Sequence, residues 1–223
     1  MFVPMATKAT KRRVPSQARS QRRFDAIVDA AARSFAEVGF DAATMEGIAA
    51  AAETSIGSVY QFFPNKRALF REVASKSLAL SRAKMPELLG PNPLQWQWPE
   101  LLDRVIDGYR QLQVEPAMQA IWRNLHLYDE YEAEDTAQLH EFIEVTAHLL
   151  GAWAPHLSAE RRRIVATTLV NATVTAMLAI SRAPEEDRDM ILDETKTMLR
   201  RYLQGYAADA GSGSGSTGSS GQR

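Results

Sequence analysis

The chain of 223 residues contains no cysteine. This absence excludes disulfides, thiol nucleophiles and cysteine-ligated metal sites, and it agrees with a protein of the cytoplasm. The sequence also lacks any run of 18 consecutive apolar residues, so it predicts no transmembrane helix. The basic N-terminus has no apolar signal-peptide core, and export is not expected. We therefore expect a cytoplasmic protein without a membrane partner.

Catalytic motifs are missing as well. The sequence has no HExxH, no glycine-rich phosphate loop and no GxSxG nucleophile elbow. Its many carboxylates fall on the predicted exposed faces of helices. We therefore predict no catalytic residues and no enzyme, and no cofactor is indicated.

One helical stripe has the spacing of a metal site. His140, Glu144 and His148 follow one another at intervals of four residues, which could chelate a metal ion. A rotation of about 100° per residue, however, puts this stripe opposite the apolar face of the same helix. We interpret the three residues as a solvated face and predict no metal site.

The net charge of −1 hides an asymmetry along the chain. Residues 1–84 carry 14 Lys and Arg against 7 Asp and Glu, whereas the remainder carries 12 against 20. A basic first part, with a balance of +7, joined to an acidic remainder suggests that only the first part meets a polyanion. Chance clustering of solvated charge is the alternative interpretation.

A short stretch within the basic part predicts two short helices and a tight joint. Thr44 and Ser55 are N-cap residues, each placed before a helical apolar pattern. Pro64 ends the second helix, and Asn65 can cap the next one. Two short helices joined by about three residues are the helix-turn-helix plan, in which the second helix lies in the DNA major groove.

These residues resemble the DNA-binding signature of the TetR family of bacterial transcriptional regulators. The resemblance covers roughly residues 22–72 and includes Thr44, Ile48, Ala49, Ala52, Ser55, Gly57, Tyr60, Phe63, Asn65, Lys66 and Leu69. One position departs from it, because Glu53 stands in the turn where the family most often has glycine. A left-handed conformation would cost a non-glycine residue about 1 kcal/mol, so the sequence leaves the shape of this turn open.

The DNA contacts can be assigned residue by residue. Ser55, Ile56, Gly57 and Ser58 open the recognition helix, whose N-terminal residues reach base edges in this plan. A serine hydroxyl can donate or accept, an isoleucine can contact a thymine methyl, and glycine permits close backbone approach. The resemblance implies in addition that Thr44, Tyr60 and Lys66 contact phosphates, which position a protein without reading sequence.

The rest of the chain predicts helices throughout, with no strand pattern. We expect an all-α protein with a flexible basic arm at residues 1–21 and a three-helix DNA-binding domain at 22–66. A helical effector-binding and dimerisation domain should follow at 67–209, and a flexible Gly/Ser tail at 210–223. The helix from residue 66 to about 84 would link the two domains, and residues 85–99 would form a connector.

An aromatic group in the helical domain is the best candidate for a cavity. Aromatic side chains at helical spacing usually fill a core, so a purely structural role is the alternative. The family resemblance implies that this domain binds a small effector between its helices. The candidate effector-binding residues are Trp96, Tyr109, Trp122, Tyr128 and Phe142.

The last two helices carry more apolar surface than they can bury against each other. That surface could pack on earlier helices of the same chain or on a second copy. The resemblance, in which the last two long helices build a four-helix dimer bundle, favours a homodimer. The predicted stripe on the last helix is Ile191, Leu192, Thr195, Met198, Leu199, Tyr202, Leu203 and Tyr206.

These observations predict a ligand-responsive, homodimeric DNA-binding regulator. A repressor that a small apolar, aromatic or cationic effector releases from double-stranded operator DNA fits them best. The alternatives are a helical enzyme, or an adaptor that does not bind DNA, using the same aromatic cavity.

Overall fold

The computed structural model describes residues 16–208, which form ten α-helices and two 3-10 helices. This range contains no strand, in agreement with the predicted all-α class. The predicted tail at 210–223 lies outside the described residues, as do residues 1–15 of the predicted arm. Residues 16–21 do not belong to an arm, because they are the first turns of helix α1. The bounds are α1 (Ser16–Glu37), α2 (Gly39–Ala42), α3 (Met45–Ala51), α4 (Ile56–Phe62), α5 (Lys66–Leu89), η1 (Pro93–Gln95), α6 (Trp98–Leu112), α7 (Pro116–Arg123), η2 (Leu125–Glu130), α8 (Glu132–Trp153), α9 (Ala159–Arg182) and α10 (Glu185–Ala208).

Side-chain caps fix the starts of the DNA-binding helices where the sequence predicts them. The Thr44 hydroxyl accepts from the Gly47 amide of α3 at 3.0 Å, and the Ser55 hydroxyl accepts from the Ser58 amide of α4 at 3.2 Å. The side-chain oxygen of Asn65 accepts from the Ala68 amide of α5 at 2.8 Å. Each bond satisfies an amide that has no partner within its own helix.

Two features of the first half differ from the prediction. A four-residue helix, α2, begins at Gly39, which adopts a φ of +83° that favours glycine. Helix α5 runs to Leu89 and includes Pro86, so the connector begins only at Gly90. Pro86 costs the helix one amide donor, but just one turn lies beyond it, and few later bonds depend on it.

The described residues bury two apolar cores. The first core contains the inward faces of α1 to α5 together with Ala117, Ala120 and Ile121 of α7. The second core contains Ile106 of α6 and the inward faces of α8, α9 and α10. Helix α7 begins about 50 residues after the predicted domain boundary. It nevertheless packs against the DNA-binding helices. The predicted limits at residues 66 and 67 therefore do not separate the two cores.

The last three helices begin and end at local signals. Helix α8 ends at Trp153, two residues before Pro155, and the Ser158 hydroxyl caps α9 by accepting from the Arg161 amide at 3.1 Å. Within the described range, α9 is the one helix long and apolar enough to cross a membrane by length and composition. Only 28% of its most apolar stretch is buried, so much of its apolar surface is left uncovered in one chain.

Candidate DNA-binding surface and effector cavity

Helix α4 buries one side and exposes the other. Val59 is fully buried in the first core, and Ile56 and Phe62 pack against that core while remaining half-buried. On the opposite side Gly57 and Tyr60 are exposed, the latter by 49%. The structure thus presents the N-terminal turns of α4 to solvent, as a recognition helix requires.

Within residues 16–208, the space that a side chain at Gly57 would occupy is open. A Cβ atom built at this position meets no heavy atom within 4 Å, and its φ does not fall in the left-handed region. Nothing in the chain therefore requires glycine here. Close approach of an external backbone or base edge to α4 would require it.

The two serines of α4 are already bonded to each other. Their hydroxyl oxygens are 3.0 Å apart, and the Ser55 oxygen also accepts from the Ser58 amide. Ser55 is exposed and Ser58 is half-buried. This arrangement fixes the Ser58 hydroxyl near the helix start, where its remaining hydrogen-bonding capacity can be offered to a base edge.

Lys66 lies in a setting that the sequence did not indicate. Its ammonium donates to the carbonyl oxygens of Phe40, Asp41 and Ala43 at 2.6, 3.2 and 2.7 Å, and it lies 4.5 Å from the centre of the Phe40 ring. A lysine ammonium has three donors, so these carbonyls at the end of α2 occupy all of them. Lys66 therefore fastens α2 to the first turn of α5. The predicted phosphate contact stays a prediction, and it would require the ammonium to leave one of these carbonyls.

The turn between α3 and α4 is a Schellman motif formed without glycine. Glu53 adopts a φ of +52°. The Thr54 amide donates to the Ala49 carbonyl at 3.0 Å, and the Glu53 amide donates to the Ala50 carbonyl at 3.1 Å. These are the two bonds that end a helix at a left-handed residue. The turn thus has the conformation that glycine usually adopts. At Glu53 this left-handed conformation is energetically unfavourable, because the residue has a Cβ atom.

An apolar cavity of about 250 Å³ lies between α5, α6, α7, α8, α9 and α10. Five aromatic side chains line it: Trp98, Tyr109, Trp122, Phe142 and Trp153. Among the described residues, no Lys, Arg or His reaches the lining, and Asp135 is its one charged side chain. Burial raises the pKa of Asp135 above its usual value, although a hydrogen bond from Tyr128 opposes this shift. Such a cavity suits an apolar molecule far better than an anion.

The helical stripe of His140, Glu144 and His148 lies on the surface. His140, Glu144 and His148 are exposed, and Glu144 accepts a hydrogen bond from the Arg163 guanidinium at 2.8 Å. Within residues 16–208, no group of three or more His, Asp or Glu side chains could hold a metal ion.

Two family models match this chain, one over the DNA-binding helices and one over the helices that line the cavity. Residues 27–73 match the family described as "Bacterial regulatory proteins, tetR family". Residues 97–203 match the one described as "Tetracyclin repressor-like, C-terminal domain". The chain belongs to the TetR family of bacterial transcriptional regulators. It is accordingly a DNA-binding transcriptional regulator, and the resemblance inferred from residues 22–72 is confirmed.

Several proteins of known structure share the fold over most of the chain. A TetR-family transcriptional regulator from Streptomyces coelicolor is 26% identical, covers 82% of this chain and 99% of its own, and has a TM-score of 0.60. NalD, the secondary repressor of the MexAB-OprM multidrug efflux pump in Pseudomonas aeruginosa, is 22% identical over 82% of this chain and 97% of its own, with a TM-score of 0.60. AibR, solved with isovaleryl coenzyme A and operator DNA, is 17% identical over 79% and 97%, also with a TM-score of 0.60.

A curated relative matches a shorter region. The uncharacterized HTH-type transcriptional regulator YhgD of Bacillus subtilis (strain 168) is 36% identical over 66 residues. That region is 30% of this chain and 35% of YhgD, so the match spans about a third of the relative.

Within this TetR-family fold, the cavity contains only part of the predicted aromatic group. Tyr109, Trp122 and Phe142 line it, but Trp96 and Tyr128 do not. The Trp96 ring lies in the connector with the Arg104 guanidinium carbon 5.1 Å from its centre, and the Tyr128 hydroxyl donates to Asp135 at 3.0 Å. Trp98 and Trp153 also line the cavity, although they were not among the candidate effector-binding residues. Trp98 directly precedes Pro99 in the predicted connector, and Trp153 ends a predicted helix two residues before Pro155.

The Schellman turn yields a prediction on stability. Glu53→Gly is expected to raise the free energy of unfolding by about 1 kcal/mol, because glycine adopts the left-handed conformation without a Cβ clash. Urea denaturation of the two proteins measures the change. Glu53→Ala is the control that removes the carboxylate and keeps the Cβ, so it should show little gain. Equal stabilisation by both variants would attribute the effect to charge and contradict the conformational explanation.

Proposed function

We propose that this regulator is a homodimeric repressor that acts in the cytoplasm and leaves its operator when a small molecule enters the apolar cavity. One observation carries the proposal. Helix α7 lines the cavity through Met118 and Trp122, whereas its Ala117 and Ile121 lie in the core beneath the DNA-binding helices. A ligand that displaces α7 therefore displaces the support of α1 as well.

The connection between cavity and DNA-binding helices has two parts. Helix α5 continues from the DNA-binding domain into the cavity wall, which Ser77, Ser81 and Met85 help to line. The sequence predicted this helix as the link between the two domains. Helix α7 is a second link that the sequence did not indicate, and it packs closely against α1. A ligand can lower DNA affinity only by binding one arrangement of these helices better than another.

The proposal contains no catalytic step. The hydroxyls of Thr146 and Thr173 in the cavity wall donate to backbone carbonyls at 2.8 Å. The hydroxyls of Ser77 and Ser81 donate to the Met118 sulfur at 2.9 and 3.9 Å. None of these hydroxyls is paired with a base that could activate it as a nucleophile.

A second copy of the chain would cover the uncovered faces of α9 and α10. Ile164 and Val174 of α9 and Met190 and Met198 of α10 are between 49% and 62% exposed. Isolated exposed apolar side chains are common, but these four lie on α9 and α10, which pack against each other. Leu199, which belongs to the stripe predicted from the sequence, is buried within its own chain and cannot report on an interface.

Met198→Glu is expected to convert the dimer to monomers at micromolar concentration without unfolding the chain. An unpaired charge buried in an interface costs several kcal/mol, whereas at Met198 of an isolated chain it stays in water. Light scattering combined with circular dichroism measures both properties. Gln111→Glu, an exposed position on α6, is the control that adds the same charge elsewhere. A wild-type protein that is monomeric at micromolar concentration would contradict the dimer.

Reciprocal linkage tests the whole proposal. Operator affinity, measured by fluorescence anisotropy, should fall by some factor when a cavity ligand is present. Ligand affinity, measured by calorimetry, should fall by the same factor when operator is bound. Trp122→Ala should weaken ligand binding. A ligand that binds the cavity and leaves operator affinity unchanged would refute the repressor mechanism.

A further inference from the structure

Two polar atoms in the cavity wall have no hydrogen-bond partner among the described residues. They are the hydroxyl of Tyr109 on α6 and the side-chain carbonyl oxygen of Gln138 on α8. Both atoms are buried, although Tyr109 retains some exposed ring surface. A buried polar atom without a hydrogen-bond partner is energetically unfavourable. A ligand that forms hydrogen bonds with both atoms in this cavity would remove that penalty.

The orientation of Gln138 is determined by its surroundings. Its amide nitrogen donates to the backbone carbonyl of Leu78 on α5 at 3.0 Å. A carbonyl cannot donate, so the nitrogen must face Leu78 and the oxygen must face away from it. Gln138 is only 2% exposed, and this bond holds it against α5. The atom left without a partner is therefore an acceptor, which needs an N–H or O–H group.

Tyr109 supplies a complementary group. Burial raises the pKa of its hydroxyl well above the usual value, so the group stays protonated at neutral pH. It can donate one hydrogen bond and can also accept one. The Tyr109 and Phe142 rings pack edge to face, with centres 6.2 Å apart, which fixes the direction of the phenol.

Other hydroxyl and carboxyl groups of the wall are already bonded. The hydroxyls of Thr146 and Thr173 donate to carbonyls of their own helices, and Asp135 accepts from Tyr128. The buried hydrogen-bonding atoms of the wall that lack a partner are therefore one acceptor and one phenol. The described lining contains no Lys, Arg or His, so a ligand carboxylate would lose its hydration without gaining a cationic partner.

We infer that the effector is a mostly apolar molecule without negative charge that carries an O–H or N–H donor for the Gln138 carbonyl oxygen and pairs with the Tyr109 hydroxyl. This inference rests on the proposed function, since it names the ligand class of the same cavity. The binding site consists of an aromatic wall for the apolar body and these two groups for the polar end.

Isothermal calorimetry with three eight-carbon probes tests the ligand class without DNA. They are 1-octanol, its isomer 1-methoxyheptane, which has the same heavy atoms but no donor, and octanoate. Wild-type protein is expected to bind 1-octanol about tenfold more tightly than either other probe, the ratio that one hydrogen bond of about 1.4 kcal/mol provides. Equal or tighter binding of octanoate or of the ether would overturn the inference.

Two variants assign this preference to the two atoms. Gln138→Leu should reduce the preference for 1-octanol over the ether toward one. Tyr109→Phe should weaken 1-octanol binding about five- to tenfold without lowering the melting temperature of the free protein, because no bond of the native chain is lost. Tyr202→Phe, which removes a hydroxyl outside the cavity wall, is the matched control and should bind as wild type. If Gln138→Leu fails to fold, Tyr109→Phe and the three probes still decide.

The outcomes separate this inference from the proposed function. Tyr109→Phe with a lower melting temperature and unchanged 1-octanol affinity would show that the hydroxyl has a structural partner, and would overturn the site. Failure of all three probes to bind a protein that still binds operator would overturn the ligand class alone. Failure to bind any operator duplex would overturn the proposed function, whatever calorimetry shows.

Discussion

Replacing Asn124 with leucine is expected to lower the free energy of unfolding by about 2–4 kcal/mol, because it leaves buried polar groups without partners. Asn124 is 2% exposed at the end of α7. Its side-chain oxygen accepts from the Phe40 amide of α2 at 2.7 Å. Its nitrogen donates to the carbonyls of Phe35 in α1 and Ala120 in α7 at 3.2 and 2.7 Å. One side chain therefore joins three helices.

Urea denaturation monitored by circular dichroism measures this loss. Asn92→Leu is the matched control, because Asn92 is exposed in the connector and makes no capping bond to η1. It should change stability by less than about 0.5 kcal/mol. An Asn124→Leu protein as stable as wild type would mean that the bonds to Phe35 and Phe40 do not hold α7 to the DNA-binding helices. The proposed route from cavity to DNA would then lose its main contact.

Gly57→Ala is expected to weaken operator binding roughly 10- to 100-fold, which corresponds to about 1–3 kcal/mol of lost base contacts. The folded chain should tolerate the change, since the new methyl meets no heavy atom within 4 Å. Alanine is also the better helix former by about 1 kcal/mol, so the free energy of unfolding should stay equal or rise. Only an external surface that approaches the backbone of α4 would be displaced by the methyl group.

Anisotropy of a labelled duplex, selected with the wild-type protein, measures the effect. Gly205→Ala is the matched control, because Gly205 on α10 is exposed and its added Cβ likewise meets nothing within 4 Å. It should gain the same helix propensity and leave operator affinity unchanged. If Gly57→Ala bound the operator as tightly as wild type, α4 would not approach DNA at this position.

Local chemistry explains which parts of this fold could be predicted from the sequence. Thr44, Ser55 and Asn65 each cap the helix that follows within three residues, so the signal and its effect lie in one short segment. Pro155 and Ser158 mark the boundary between α8 and α9 in the same way. The helices of the DNA-binding region could therefore be predicted in detail from the sequence. The family resemblance is specific to the same region.

Contacts between distant residues explain what could not be predicted. Asn124 interrupts an apolar pattern without any local sign that it bonds to Phe35 and Phe40, which lie more than 80 residues earlier. The role of Lys66 at the end of α2 depends in the same way on a helix some 25 residues away. An apolar stripe on a helix does not indicate whether it packs on helices of the same chain or on a second copy of the chain.

In the cavity and on the last helix, the sequence also could not predict which of two nearby residues makes a given contact. Trp96 and Trp98 are two positions apart, yet only Trp98 lines the cavity, because α6 begins at that residue. Leu199 and Met198 are neighbours in one predicted stripe, yet Leu199 is buried within the chain and Met198 is exposed. Periodicity selects the apolar face of a helix, whereas the tertiary packing decides which edge of that face stays open.

Selection of bound duplexes from a random library tests most directly whether α4 reads DNA as one of a pair. At physiological salt the wild-type protein is expected to enrich a motif of two half-sites related by two-fold symmetry. Their centres should lie about one helical turn, or a multiple of it, apart. A bound pool with no enriched motif, or one with a single half-site, would contradict the account of a dimer that reads its operator through α4.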